Sequence, residues 1–169
     1  MQSVVLRARI GVFPDAGGLR RLDHPLDSDR GSPVTWEGKT YRWVEHTGEL
    51  ELSIEAPTET GVFTEALAAL GELLGEEPAG EKTRHELSIS ASDPPALLAE
   101  WLSELVFLAE TESFVPERAA ELELTYPVLH AVVEGRRGEP PPLVKAVTYH
   151  MLELAENDRG WHGRVVLDV

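Results

Sequence analysis

Acidic residues at two separate places in the chain have the types and positions that a divalent-cation site needs. Glu49 and Glu51 follow the stretch "EHTG" on the outer face of an alternating segment, and the sequence ends on Asp168 and Val169. Hard cations such as Ca²⁺ and Mg²⁺ take several oxygen ligands, including carboxylates and main-chain carbonyls. The alternative is a solvated acidic face, which is the commoner arrangement in a chain this acidic. Spacing alone therefore leaves the site a hypothesis.

The last six residues, "RVVLDV", resemble a strand that continues to the final position. Chain ends usually fray unless something ties them down, so apolar residues up to Val169 predict a docked end. Docking places Asp168 beside the terminal carboxylate, and two like charges held side by side are costly unless they are compensated.

The stretch "VKAVTYH" is the second candidate for chemistry. Lys145, Thr148, Tyr149 and His150 occupy a short segment that also carries apolar residues. A half-buried strand alternates apolar and polar residues, so three consecutive polar or aromatic residues predict a face that meets something other than water. The alternative is a cluster of hydrogen bonds between neighbouring strands.

No strong catalytic motif is present in the sequence. It contains no GxSxG, GxxxxGK[ST], GxGxxG or HExxH pattern, and its six histidines lack the i, i+4 spacing of a helical zinc site. No catalytic residue is predicted, and we expect the protein not to be an enzyme. A metal-dependent hydrolase that uses carboxylates to activate water is the weakest alternative, because neither a general base nor a substrate pocket can be named.

The charge balance restricts the partners of the protein. Thirty Asp and Glu residues against fifteen Lys and Arg residues give a net charge of −15. Such a surface repels the phosphate backbone and anionic membranes, so direct nucleic-acid binding and membrane binding are not expected. It attracts cations or a basic face of another protein.

Two features of the sequence predict a cytoplasmic protein. The absence of cysteine agrees with a reducing compartment, and Arg7 and Arg9 interrupt the apolar run that a signal peptide needs.

The hydrophobic pattern predicts an N-terminal extension, residues 1–33, followed by one domain, residues 34–169. The extension contains one possible strand, Val4–Val12, followed by a stretch that is rich in turn-forming residues and has no periodicity. A hairpin is predicted around Gly38, and the alternating stretch "ELELSIEA" predicts a strand over residues 49–56. Four further segments with period two follow the second helix, including "VLHAVVEG" and the terminal "WHGRVVLDV".

Two amphipathic helices are predicted between these strands. The first follows Thr58 as N-cap and ends at Gly75, and the second is capped by Ser92 or Asp93 with Pro94 in its first turn. Two helices among about six short strands predict an α+β fold in which the helices pack on a largely antiparallel β-sheet as a two-layer sandwich.

Several of these stretches resemble the archease family. The segments "YRWVEHTGELELSIEAPTETGVFTEALAALGELL", "LLAEWLSELVFLAETE", "LVKAVTYHMLEL" and "GWHGRVVLDV" occur in the family's order and at similar spacing. The resemblance covers residues 40–169. It implies an accessory protein of the GTP-dependent RNA-splicing ligase, which promotes guanylylation of the ligase and multiple turnover without making an RNA bond itself.

The resemblance also implies a set of functional residues. The family's divalent metal, typically Ca²⁺, would here be held by Glu49, Asp168 and Val169, and a cation between Asp168 and the chain end would turn their repulsion into a tether. The family usually has Asp where this chain has Glu49, and Glu is one methylene longer. The resemblance further implies that four residues are candidate contacts with the ligase: Lys145, Tyr149, His150 and His46.

A second function is compatible with the same resemblance. A chaperone-like role toward RNA-modifying enzymes such as tRNA cytosine methyltransferase has also been proposed for archeases. It would require no metal, which separates it from the first interpretation.

Overall fold

The computed structural model describes residues 40–75 and 80–169. They form seven strands and two helices in the order β1–β2–α1–β3–α2–β4–β5–β6–β7. The strands are β1 Tyr41–His46, β2 Glu49–Ala56, β3 Lys82–Ser90, β4 Phe114–Thr125, β5 Val128–Arg137, β6 Ala146–Asn157 and β7 Gly160–Asp168; the helices are α1 Glu59–Leu74 and α2 Pro94–Glu112. Neither helix is long and apolar enough to cross a membrane.

The strands divide into two antiparallel sheets. One has the order β1-β2-β7-β6 and the other the order β3-β5-β4. The last strand, β7, lies between β2 and β6 and pairs with both along its length. The end of the described chain is therefore an interior strand of the sheet, because both of its edges are occupied by neighbours.

Both helices begin at the residues that the sequence predicts. The Thr58 side chain accepts a hydrogen bond from the Gly61 N–H, and the Asp93 side chain accepts one from the Ala96 N–H. Each cap satisfies a donor that the first turn of a helix leaves without an intrahelical partner. Pro94 occupies the first helical position, where a missing N–H costs nothing.

The core lies where the two helices meet the two sheets, since each helix contacts strands of both. Trp101 of α2 is fully buried, and its indole Nε1 donates to the Phe63 main-chain oxygen of α1 at 3.0 Å. The other fully buried large side chains are Phe63, Phe114, Leu52, Ile54, Leu67, Leu70, Leu97, Leu98, Leu102, Leu105 and Leu129. Gly163 of β7 allows α1 to approach, because a methyl group there would lie 2.5 Å from Cγ1 of Val62.

The α+β fold with two helices on antiparallel strands is confirmed, with one difference. The strands form two sheets, not one, and β4 starts directly after α2 at Phe114, earlier than its alternating part indicates. The predicted hairpin around Gly38 and the extension over residues 1–33 lie outside the described residues. Within the described residues, a hairpin joins β1 to β2 through Thr47 and Gly48.

Candidate metal site at the chain end

One row of residues crosses the four-stranded sheet at its end. His46 lies directly opposite Glu49, Glu49 opposite Asp168, and Asp168 opposite Ala146. Directly opposite residues of antiparallel strands project from the same face, with Cβ atoms about 4.5–5.5 Å apart. The two carboxylates that the sequence predicts as ligands are therefore neighbours on the face of the sheet that points away from the helices.

Three hydrogen bonds hold the chain end beside this row. The Val169 N–H donates to the Gly48 main-chain oxygen at 3.0 Å, and the Lys145 N–H donates to the Asp168 main-chain oxygen at 2.8 Å. The Lys145 ammonium donates to the Val169 main-chain oxygen at 2.8 Å. The predicted docked end is confirmed, and it is fixed between the β1–β2 turn and the residue before β6.

Gly48 shapes the turn on which Val169 docks. Its φ of +78° lies in the left-handed region, which L side chains rarely adopt. The turn brings Glu49 to the start of β2 and presents the Gly48 oxygen to the Val169 N–H. A single glycine thus positions one predicted ligand and anchors another.

The chemistry of these donors fits a hard cation. Glu49 and Asp168 supply carboxylate oxygens and are half-buried, and Val169 supplies a main-chain oxygen to which the Lys145 ammonium already donates. Within residues 40–75 and 80–169, no three His, Asp or Glu side chains cluster closely enough to hold a metal by themselves. The ligand set that the family resemblance implies adds Val169 to these two carboxylates. Glu51 lies on the same face, opposite Val166 in the next row.

Strand β6 departs from regular pairing just beyond this site. Thr148 lies opposite Val166 and Glu153 opposite Arg164, so the four residues 149–152 face a single residue of β7. Met151 has a φ of +54°, and its main-chain oxygen accepts a hydrogen bond from Arg164 Nε at 3.0 Å. Bulges of this kind redirect side chains, and strained backbone is concentrated at functional sites.

The bulge presents the predicted contact residues to solvent. Tyr149 is 58% exposed and Met151 46% exposed, and His150 is exposed between them. The Tyr149 hydroxyl donates to Glu100 of α2. This hydrogen bond, with a smaller contribution from desolvation, raises the pKa of the Tyr149 phenol. The alternative of a hydrogen-bonded cluster between strands does not describe Tyr149, whose partner lies on a helix.

The structure brings some of the predicted residues together and separates others. Lys145 joins Asp168 and Val169 at the chain end, and His46 shares their row but is exposed at the edge strand β1. Sequence reasoning missed the link between Lys145 and the chain end, as well as the role of Glu100. No local pattern marks Glu100, because its contact with Tyr149 depends on how α2 packs on β6.

Comparison with known proteins places the chain among relatives of similar architecture. A family model described as the Archease protein family (MTH1598/TM1083) matches residues 41–169. The chain is 33% identical over 144 residues to "Protein archease" of Methanosarcina mazei, covering 79% of this chain and 98% of that protein. It is 32% identical over 149 residues to "Protein archease" of Pyrobaculum islandicum, covering 82% and 98%.

Two solved structures share the fold. The solution structure of Methanobacterium thermoautotrophicum protein 1598 aligns with a TM-score of 0.59 and 27% identity, covering 77% of this chain and 99% of that one. The crystal structure of a Thermotoga maritima protein, described as an archease and possible chaperone, aligns with a TM-score of 0.56 and 20% identity, covering 75% and 94%. None of these four relatives is named as an enzyme.

Proposed function

The chain belongs to the archease family, and from this premise we propose that it is an accessory protein that activates the GTP-dependent RNA-splicing ligase. It promotes guanylylation of the ligase and multiple turnover in tRNA splicing and RNA repair. It does so with a divalent cation, Ca²⁺ by preference, held by Glu49, Asp168 and Val169. It makes no RNA bond itself, and we assign it no catalytic residue.

The observation that carries this proposal is the pairing of Glu49 with Asp168 beside the anchored Val169. Like charges directly opposite one another on neighbouring strands destabilise a sheet. A divalent cation bound between them removes this repulsion, and it also stabilises the folded protein, because the unfolded chain does not bring the ligands together.

The partner surface that we propose surrounds the metal site. The net charge of −15 favours association with a basic face and disfavours direct contact with RNA. Lys145, Tyr149, His150 and His46 are the proposed contacts with the ligase. The exposure of Tyr149 and His150 on the β6 bulge supports this assignment.

The test combines metal binding and ligase activation in the same samples. Ca²⁺ and Mn²⁺ are titrated calorimetrically into wild type, Glu49→Ala, Asp168→Ala and Glu156→Ala, and single-turnover guanylylation of the ligase from the same organism is then measured. Glu156 is exposed, lies opposite Trp161 at the other end of β6, and controls for the loss of one negative charge. We expect Glu49→Ala and Asp168→Ala to lose both binding and activation, and Glu156→Ala to keep both.

Two results would contradict the proposal at different points. Undiminished binding in Glu49→Ala and Asp168→Ala, or no binding in wild type, would remove the metal site. Failure of wild type to stimulate guanylylation at any stoichiometry would remove the ligase as partner, even if the metal binds.

A second candidate function is a chaperone-like modulator of a tRNA-modifying enzyme such as tRNA cytosine methyltransferase. The description of the Thermotoga maritima relative as a possible chaperone favours it. Suppression of aggregation of such a methyltransferase, at equal strength in wild type and Asp168→Ala, would support this function, since a chaperone surface does not need the metal. Suppression by neither protein would exclude it.

A further inference from the structure

Lys145 is the basic residue that the structure places directly against the candidate metal site. Its ammonium donates to the Val169 main-chain oxygen at 2.8 Å, and its own N–H donates to the main-chain oxygen of Asp168 at 2.8 Å. The main-chain bond fixes the position of the residue, while the side chain is exposed. One oxygen is thus shared between an ammonium group and the proposed ligand set.

We propose that Lys145 is an internal competitor of the divalent cation, so that the chain end exchanges between a state bound by Lys145 and a state bound by metal. The inference rests on the proposed metal site and describes how its affinity is regulated. It also assigns the Lys145 side chain a second position, because metal binding releases it from Val169.

The geometry makes simultaneous binding unfavourable. A hard cation coordinates oxygen at about 2.3–2.6 Å, which would place it no more than about 5.4 Å from an ammonium that stays at 2.8 Å from the same oxygen. The two positive charges repel each other at that separation. The lysine is the partner that leaves, because its long flexible side chain is exposed and its ammonium is readily hydrated.

Lys145 and the cation are alternative sources of positive charge for the same acidic groups. In the state in which it donates to Val169, Lys145 partly neutralises the cluster. The Val169 N–H bond to Gly48 involves neither the ammonium nor the carboxylates, so it is common to both states. When the metal arrives, the released ammonium becomes available to an anionic group of a partner protein.

The first test measures Ca²⁺ affinity by calorimetry in wild type, Lys145→Gln, Lys145→Arg and Arg159→Gln. Arg159 lies exposed in the turn between β6 and β7, at the end of the sheet opposite Asp168, so Arg159→Gln makes the same change in net charge without touching the site. We expect Lys145→Gln to bind Ca²⁺ about three- to fivefold more tightly, which is the size of an exposed charge interaction. Lys145→Arg and Arg159→Gln should stay within about twofold of wild type.

The second test follows the side chain itself. Pulse acetylation of the full-length wild-type protein, read by mass spectrometry, reports the reactivity of Lys145 with and without saturating Ca²⁺. Lys82, exposed on β3 in the other sheet, is the internal control. We expect Ca²⁺ to increase the acetylation rate of Lys145 and to leave that of Lys82 unchanged.

The possible results distinguish failure of the competition by Lys145 from failure of the metal site on which it rests. Equal or weaker Ca²⁺ binding by Lys145→Gln, or slower acetylation of Lys145 with Ca²⁺, would overturn the competition even if Glu49→Ala and Asp168→Ala lose binding. Absence of Ca²⁺ binding by wild type would overturn the metal site and this inference together.

Discussion

Gly48 is the residue whose backbone conformation most directly supports the candidate site. It adopts a φ of +78°, and its oxygen accepts the Val169 N–H at 3.0 Å. No atom lies within 4 Å of a Cβ added there, so a side chain meets strain but no clash. We expect Gly48→Ala to lower the free energy of unfolding by about 1 kcal/mol in urea denaturation.

Asparagine at position 48 is the matched control for this prediction, because Asn tolerates left-handed backbone better than Ala. Gly48→Asn should therefore unfold closer to wild type than Gly48→Ala does. If Gly48→Ala were as stable as wild type, the positive φ would not constrain the turn, and its part in anchoring Val169 would have to be abandoned.

The hydrogen bond of Tyr126 should make the stability of the protein depend on pH. The Tyr126 hydroxyl donates to Glu59 in the first turn of α1, and burial, followed by this hydrogen bond and the charge of Glu59, raises the pKa of the phenol. A raised pKa means that the stabilisation is fully present below the unfolded value of about 10 and is lost as pH rises through the higher folded value. Because Tyr126 is 42% exposed, we expect Tyr126→Phe to cost only about 0.5–1 kcal/mol at pH 8.

Denaturation of wild type and Tyr126→Phe at pH 8 and pH 11 checks this sign. The advantage of wild type should shrink between the two pH values, since at pH 11 the phenol is ionised in the unfolded chain but still protonated in the folded one, and this ionisation favours unfolding. A difference in unfolding free energy that is the same at both pH values would show that the hydroxyl contributes no pH-dependent stability.

Individual candidate ligands could be named from the sequence where each has a distinctive position. Asp168 stands beside a chain end that is apolar to its last position, and Glu49 starts an alternating strand. Their adjacency follows from the β2–β7 register, which joins residues far apart in the sequence. That pairing came from the family resemblance and not from the spacing of the residues.

At the scale of elements, the packing of α2 on α1 depends on Trp101. The side chain is fully buried, and its Nε1 donates to the Phe63 oxygen of α1 at 3.0 Å. Trp101→Phe removes the donor and leaves a cavity, so we expect a loss of about 2–3 kcal/mol in unfolding free energy, measured by urea denaturation. Phe107→Ala, on the same helix but 53% exposed, should cost less than about 1 kcal/mol. Equal losses in the two variants would contradict the central position of Trp101.

The helices were more predictable than the strands, for physical reasons. Helix bonds and caps are local, so the apolar stripes together with Thr58 and Asp93 set both starting points. Strand pairing is long-range, and nothing within β7 indicates that it inserts between β2 and β6. No residue type in the sequence indicates the bulge in β6 either, because Met151 takes a positive φ without a glycine or proline nearby in the strand.

At the scale of the whole molecule, the family match separates the chain into two parts. The match begins at residue 41, and 79% of this chain covers 98% of the Methanosarcina mazei relative. The domain boundary between residues 33 and 34 stays a prediction. Six basic and five acidic residues lie within residues 1–39, so the matched region holds 25 acidic and nine basic residues and has a net charge of −16.

Deletion of residues 1–33 tests the boundary. Because the family model matches residues 41–169 and 79% of this chain covers 98% of the Methanosarcina mazei relative, we expect the shortened chain to unfold cooperatively. Its unfolding free energy should lie within about 1 kcal/mol of wild type in urea, and its Ca²⁺ affinity should be unchanged.

Deletion through residue 46 is the control, since it removes β1, which pairs with β2 along its whole length, and should abolish the cooperative transition. If the shorter deletion already abolished it, residues 1–33 would be part of the domain, and the boundary predicted from composition would be wrong.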